Sequence, residues 1–561
     1  MEIEFNLLEE PWIRVMTDDC AVRECSLTEA LLDSHRYRRL AGELPTQDVA
    51  VLRLLLAVLH SVFYRVDPEG EDDPIEDRMQ AVLRWQALWD AKCLPEQPIR
   101  DYLGRWRDRF WLFHPEHPFY QVPGAEAGTK YTAAKLNGEL SESSNKPRLF
   151  PLRAGESKTT LSYAEAARWM LTFIGFDDAA SVKKEIGAGA GWLGQHANLY
   201  AVGNTLFETL LLNLVFLNNG NELWEENNLP IWERTVVKEA KKKEIPVPDN
   251  QAELLTLQSR RTLLCRDNDS VRVVGCLSTG GDYFGKDGAR NAFNEQMVYW
   301  RKEKEQKNAA VSYRPARVDV SKQMWRDYET IVDSSNGPIP GVIAWINTLK
   351  EKGCLKNEAV HLSSVGVTYD ASGGSCTDII TDHLDFHISL LGEMGRLWTA
   401  LIQEKIRQTE KAAWLVGLLA EDLFKASGGA ASSDKKKDSA ARKIRQQQAE
   451  QQYYAAVDIP FRKWLFAIDP EQGDDETIRA ERDAAWRKEA CRIALEQGKS
   501  MVRNAGEAAF TGRWIKKEFF SAPWIKDEFF SAPKEFNRFT SSIRACFQMQ
   551  NLKKEETNGQ P

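Results

Sequence analysis

Two histidines three residues apart flank a glutamate in the segment FWLFHPEHPFYQ, Phe110 to Gln121. Imidazoles and a carboxylate at that spacing are the donor set of a metal hydrolase or of a general acid-base pair. The metalloprotease pattern HExxH needs an unbroken helix, and Pro115 and Pro118 would each remove a backbone hydrogen bond and clash with the preceding turn. The expected role is therefore structural: a ring packed among Phe110, Trp111, Phe113, Phe119 and Tyr120, donating to a backbone carbonyl. His383 and His387, in HLDFH, have i, i+4 spacing with Asp385 between them, at the start of an expected helix. No third ligand accompanies them, so helix-start polarity is the expected role. GxxxxGK[ST], GxGxxG after a strand and the GxSxG elbow are all missing. The glycine-rich GAGAGWLG, Gly187 to Gly194, has no P-loop lysine and suits a flexible loop or a tight backbone approach. Neither a metal nor another cofactor is expected, and the chain reads as no enzyme. The competing reading is a metal-dependent nuclease or hydrolase built on His114, Glu116 and His117.

Basic loops offer a different chemistry. SSNKPRLFPLRAGESKTT, Ser143 to Thr160, mixes Asn145, Lys146, Arg148, Arg153 and Lys158 with glycine and proline. YWRKEKEQKN, Tyr299 to Asn308, carries Arg301, Lys302, Lys304 and Lys307. Lysine and arginine on a loop can meet phosphate, which is what a nucleic-acid backbone presents. A third basic run, Lys435 to Lys437 with Arg442, Lys443 and Arg445, follows a Gly/Ser/Ala stretch and reads as an interhelical loop entering a solvated helix.

The elements that must carry these loops fall into two parts, because 561 residues exceed what one core usually supports. The fold class expected is α+β: a large mixed α/β N-terminal domain with long loops, residues 1–382, followed by a C-terminal helical (four-helix) bundle, residues 383–561. In the first part short β-rich runs such as VRVVGCLSTGG, Val271 to Gly281, alternate with helical stretches such as TLFETLLLNLVFL, Thr205 to Leu217. In the second, Leu390, Leu391, Met394, Leu397, Trp398, Leu401 and Ile402 recur at helical spacing, as do Ile478, Ala485, Trp486 and Ile493. A tandem repeat, WIKKEFFSAP then WIKDEFFSAP at 514–533, is too short for a solenoid and reads as a duplicated connection with two aromatic-bearing turns.

With 43% hydrophobic and 28% charged residues the chain is globular, and a net charge of -8 argues against a protein that coats nucleic acid along its whole surface. Nine scattered cysteines without a CxxC pair read as reduced thiols, with no zinc ribbon. The acidic start MEIEFNLLEEPWIRV is not a secretory signal. Val49 to Phe63, interrupted by Arg53 and His60, falls short of the roughly 20 residues that span a bilayer and reads as a buried helix. No membrane association is expected, and the location is cytoplasmic.

Six segments in order, FNLLEEPWIRV (Phe5 to Val15), LAGELPTQDVAVLRLLLAVLH (Leu40 to His60), HPFYQ (His117 to Gln121), LSYAEAARWML (Leu161 to Leu171), TLFETLLLNLV (Thr205 to Val215) and QSRRTLL (Gln258 to Leu264), closely resemble the CasA family, the large subunit of the type I-E CRISPR surveillance complex Cascade. The resemblance implies a non-catalytic, DNA-recognising subunit. It would sit beside the crRNA 5′ handle, inspect double-stranded target DNA for a PAM and start strand separation. Its partners would be the backbone, small and handle-binding subunits of Cascade and a helicase-nuclease effector. A purely structural scaffold of the crRNA complex is the remaining alternative.

The resemblance also implies sites. The family's flexible first loop corresponds to the stretch around Asn145, with Lys146 and Arg148 adjacent. Its short glycine loop before the AEAA helix corresponds to Lys158, Thr159 and Thr160, where no glycine stands. Its lysine finger falls among Lys302, Lys304 and Lys307. Its wedge hairpin, tipped in some members by glutamine, corresponds to YDASGGSCTD, Tyr369 to Asp378, with Gly373, Gly374 and Ser375 at the tip. A glycine tip can separate bases only with backbone atoms.

Overall fold

The computed structural model of the chain describes residues 3–137, 153–178, 189–224, 229–237, 240–267, 271–285, 288–303, 310–335, 337–356, 359–370, 376–393, 395–429, 435–473, 475–517 and 526–548. The chain divides into two compact units, one of Met1–Met324 with Thr330–Leu384 and the other of Trp325–Glu329 with Asp385–Pro561. Helix makes up 48% and strand 18% of the described residues, so these are neither all-α nor all-β.

The first unit is organised on the helix Pro45–Phe63, which opens with Pro45 in its first turn and is buried on every face. A helix apolar all round has no solvated side and must sit inside a core, and 94% of its most apolar window is buried here. Its two polar interruptions are both accommodated. Arg53 forms a forked pair with Glu295, Nη1–Oε1 2.9 Å and Nη2–Oε2 3.0 Å. His60 stacks on Tyr64, centroids 5.1 Å apart, among Phe216 and Trp224.

Burial lowers the His60 pKa to about 3. As the pH falls below the ordinary value of about 6.5, the unfolded chain takes up a proton that the folded chain refuses until about 3, so stability is lost over that interval. Relative to His60→Phe, the first unit should lose about 1.4 kcal/mol per pH unit between pH 6 and pH 4. Urea titrations of both proteins at several pH values check this, and a difference independent of pH would contradict it.

Two three-stranded sheets flank this helical centre. In one, Val273–Gly280 lies between Thr129–Thr132 and Arg260–Arg266, antiparallel to both. In the other, Ala359–Tyr369 lies between Cys376–His387 and Asn198–Val202. The helix Tyr163–Phe176 starts at a capping box in which Ser162 and Glu165 satisfy each other's backbone N–H. The glycine-rich stretch is a close approach at two points: a Cβ on Gly191 would stand 2.3 Å from the Gly175 carbonyl, and one on Gly194 2.0 Å from the Tyr369 hydroxyl.

Three sequence expectations are corrected here. The helix expected over Thr205 to Leu217 spans only Leu206–Leu212. Asn213 ends it, because its side chain bonds both backbone groups of Ala201 and the carbonyl of Thr209. His383 and His387 lie not at a helix start but in the strand Cys376–His387. Residues four apart share a face in either element, but at about 3.3 Å per residue a strand sets them some 13 Å apart, too far to share an ion. The alternation that marks the strand is Leu384 and Phe386, both buried.

The third correction concerns the second unit. Its long helices Arg396–Ala426, Lys435–Phe466, Glu476–Arg503 and Ala532–Cys546 pack on one another. The first begins only at Arg396, after a short turn Ile388–Leu390, and Leu397 is 58% exposed while Trp398 and Ile402 are buried. Ala485 is likewise exposed, and Trp486, Ala490, Ile493 and Ala494 form the buried stripe of the third helix. Trp325 stacks on Phe461 at 4.2 Å and donates Nε1 to Asp458 at 2.8 Å. Arg326 lies over the Tyr454 ring at 3.8 Å and bonds Glu410 at 3.0 Å.

Parts of both repeat copies are among the described residues. Arg513–Lys517, at the start of the first copy, pairs antiparallel with Lys526–Phe530 inside the second, so that Trp514 faces Phe529. Ser531 of the second copy then becomes the N-cap residue of the last helix, with Pro533 in its first turn.

Candidate nucleic-acid interface

Lys302 ends the strand Trp300–Lys302, which pairs with Tyr313–Pro315 in the register Trp300↔Pro315, Arg301↔Arg314 and Lys302↔Tyr313. Glu303 locks the outer end of this hairpin. Its backbone N–H donates to the Ser312 carbonyl at 2.9 Å, and its carboxylate accepts from Ser312 Oγ at 2.6 Å and from Arg314. Those hydrogen bonds from Ser312 and Arg314 hold the Glu303 carboxyl below the usual range. Lys302 is exposed at the end of this braced stem, whereas Lys304 and Lys307 lie outside the described residues.

At the inner end Trp300 is buried and meets Phe293 edge-on at 5.0 Å. It belongs to a hydrophobic cluster with Trp192, Val298, Val365, Val367 and Cys376, against which Tyr313 and Tyr369 pack. Val365 and Val367 come from the strand Ala359–Tyr369 and Cys376 from its neighbour Cys376–His387, the two strands that flank the expected wedge tip. Thr368 and Thr377 join across this second hairpin at 2.9 Å, and the Tyr369 hydroxyl donates to the Phe176 carbonyl at 2.6 Å. Gly373, Gly374 and Ser375 lie outside the described residues. The hairpin that ends at Lys302 and the hairpin of Ala359–Tyr369 with Cys376–His387 thus rise from one cluster, although more than forty residues separate them in sequence.

The third group stands on a different support. Glu156–Thr159 is a single helical turn whose N-cap, Gly155, has φ +59°. Gly155 stands three residues before Lys158, where the positive φ favours glycine. Thr159 and Thr160 both donate their hydroxyls to the Glu156 carbonyl, at 3.2 and 3.1 Å. The Lys158 carbonyl accepts from Asn137 Nδ2 at 2.9 Å, which ties together the two chain segments on either side of residues 138–152. Asn145, Lys146 and Arg148 are in that interval, outside the described residues. Arg153 is not available to phosphate, because it pairs with Glu165 at 2.9 Å and with Glu43.

The histidine segment resolves as a hydrogen-bonded knot. Asp108, His114 and His117 bring ligand-capable atoms within 4.8 Å of one another. His114 Nδ1 accepts from the backbone N–H groups of Glu116 and His117, both at 3.1 Å, and does not donate to a carbonyl as expected. In a neutral imidazole that assigns the proton to Nε2, the atom facing Asp108 Oδ1 at 4.0 Å, and leaves no lone pair there for a metal. Burial and the neighbouring His117 lower the His114 pKa and keep it neutral. His117 Nε2 bonds Asp108 Oδ2 at 2.6 Å, and the two rings stack at 3.6 Å.

One basic concentration went unread in the sequence: Lys241, Lys242 and Lys243, which with Arg109, Arg234 and Arg261 line a cleft in the first unit. The run KKK was its local signal. Its convergence with Arg261 depends on a strand pairing between residues about forty apart, Lys243 with Asp282.

The chain is thus a two-unit protein of mixed helix and sheet, in which two hairpins stand on one hydrophobic cluster. The chain belongs to the family of CRISPR-associated protein Cse1, whose model matches residues 6–497. This is the CasA family that the ordered segments resemble. CRISPR-associated protein CasA/Cse1 of Thermus thermophilus is 28% identical over 423 residues, 72% of this chain and 78% of that protein. The crystal structure of Thermobifida fusca Cse1 is similar over 97% of this chain and 98% of its own, with 26% identity and a TM-score of 0.76. A chain of a CRISPR RNA-guided surveillance complex shares the fold over 97% of this chain and 100% of its own, at 17% identity and a TM-score of 0.67.

Proposed function

We propose that this protein is the non-catalytic large subunit of a type I-E Cascade, and that it reads the PAM in double-stranded target DNA and begins the strand separation that lets crRNA pair. On this reading residues 1–382 recognise the PAM and residues 383–561 form the helical bundle. The neighbours are the other Cascade subunits and the crRNA 5′ handle, a surface of the chain receives the helicase-nuclease, and the work is done in the cytoplasm.

The observation that carries the reading is the shared footing of two hairpins on one hydrophobic cluster, one ending at Lys302 and the other flanking Gly373 to Ser375. A cation that enters the minor groove and a tip that parts the base pairs must act at a fixed separation, and a common packed core supplies rigidity that long loops lack. Minor-groove reading separates A·T from G·C and little more, so such a reader tolerates several PAM sequences while guide pairing supplies the rest. The two backbone N–H groups that donate to His114 Nδ1 occupy that nitrogen and support a reading without metal-dependent cleavage.

The test is reconstitution of Cascade with and without this chain, followed by selection of bound duplexes from a library with a randomised PAM. Enrichment of a small PAM set only when the chain is present is the expected result. Equal recovery of all PAM sequences in both preparations would reduce the chain to a scaffold.

A further inference from the structure

A cleft of about 570 Å³ opens in the first unit beside the segment Trp232 to Val237. Six cationic side chains line it, Arg109, Arg234, Lys241, Lys242, Lys243 and Arg261, against the two carboxylates Glu253 and Asp282. In a chain whose net charge is -8, such an excess of positive charge in one concavity is a local arrangement and not a reflection of composition. None of the hairpin residues discussed above lines it.

The chain assembles this charge deliberately from distant segments. Lys243 is brought to the cleft by parallel pairing of Lys243–Glu244 with Asp282–Tyr283. Arg261 comes from the strand Arg260–Arg266, its side chain 3% exposed, held by Gln258 Oε1 at 2.6 Å and by Asp282. Arg234 donates Nη1 to Glu253 at 2.8 Å, and Arg109 donates Nη2 to the Arg234 carbonyl at 3.1 Å. Both carboxylates are thus already engaged, each by one arginine.

Two further facts point to a missing acceptor. The Nε atoms of Arg234 and Arg261 are buried and make no hydrogen bond within the described structure, although buried guanidinium donors are normally all satisfied. Burial lowers the Arg261 pKa against the raising effect of Asp282, and the charge of Arg234 adds a smaller lowering. An anion in the cleft would offset the excess of positive charge and supply acceptors to the lining arginine and lysine donors. Apolar side chains complete the walls, among them Val122, Ile231, Val236 and Ile245, and the volume is far larger than a phosphate alone requires.

We propose that this cleft binds the phosphate of a nucleoside phosphate, with the attached nucleoside against the apolar wall. A free nucleotide and a nucleotide of a single strand offer the same chemistry, and the test separates them.

The full chain is titrated calorimetrically at about 150 mM salt with three probes: inorganic pyrophosphate, ADP, and a 5′-phosphorylated single-stranded RNA hexanucleotide. ADP binding tighter than pyrophosphate, with the RNA no tighter than ADP, marks a free nucleotide. Tighter binding of the RNA marks a strand, and either result supports the site. Arg234→Gln and Lys243→Gln should each weaken the bound probe about tenfold or more, the effect of one charge-assisted hydrogen bond. Lys243 is exposed, so its substitution leaves the fold intact, and far-UV circular dichroism with a urea titration confirms this for both variants. Failure of all three probes to bind, or undiminished binding by both folded variants, overturns the proposal.

Discussion

Glu295→Ala should destabilise the first unit by about 3–5 kcal/mol, the largest single-residue effect that the structure predicts. Glu295 and Arg53 are both almost completely buried. Burial raises the Glu295 pKa, but the charge and hydrogen bonds of Arg53, with help from Trp192, outweigh it and hold the carboxyl at about 2. Removing the carboxylate strands a guanidinium whose remaining partners are the Leu254 carbonyl at 3.1 Å and the weakly accepting Met297 sulfur at 3.8 Å. It also frees Trp192 Nε1, which donates to Glu295 at 2.8 Å and belongs to the cluster under both hairpins.

Because the folded pKa is depressed, the stabilising contribution is complete above the unfolded value of about 4.3 and fades as the pH falls towards about 2. Urea denaturation at pH 7 measures the loss. The double change Arg53→Met with Glu295→Leu is the informative control, because replacing both ions by apolar groups is often neutral. A loss below about 1 kcal/mol for Glu295→Ala would show that water reaches the pair and that it does not hold the core helix.

Alanine at one of Lys302, Lys304 and Lys307 should cut the preference of reconstituted Cascade for PAM-bearing duplexes about 5- to 150-fold, the equivalent of a base contact worth about 1–3 kcal/mol. A lysine in the minor groove attracts by charge and bonds to base acceptors, so its loss weakens the PAM duplex more than the PAM-less one. A lysine on phosphate weakens both alike and lowers the salt slope by roughly 1. Lys302 stands on the braced stem, paired to Tyr313, whereas the other two lie beyond it in sequence. Each variant is therefore measured against both duplexes across a salt series. An unchanged ratio in all three would place the reading cation outside this hairpin.

The sequence by itself determined the family, the buried character of Pro45–Phe63 and the β-rich run realised as Val273–Gly280. These properties are local: an apolar face, an alternation of residues or a broken turn is complete within a dozen neighbours. Periodicity failed where two elements share a spacing, as at His383 and His387, and where a side chain competes with the backbone, as at Asn213. It also could not see that Trp325–Glu329 packs into the helical unit. Tertiary structure alone decided which distant segments converge. The lysine hairpin and the glycine-tipped hairpin share one cluster, and Lys243 lies beside Asp282, because strand pairing and core packing join residues tens of positions apart. A single sequence carries no local mark of such pairings, since each is selected by the complementarity of two surfaces that exist only once both have folded.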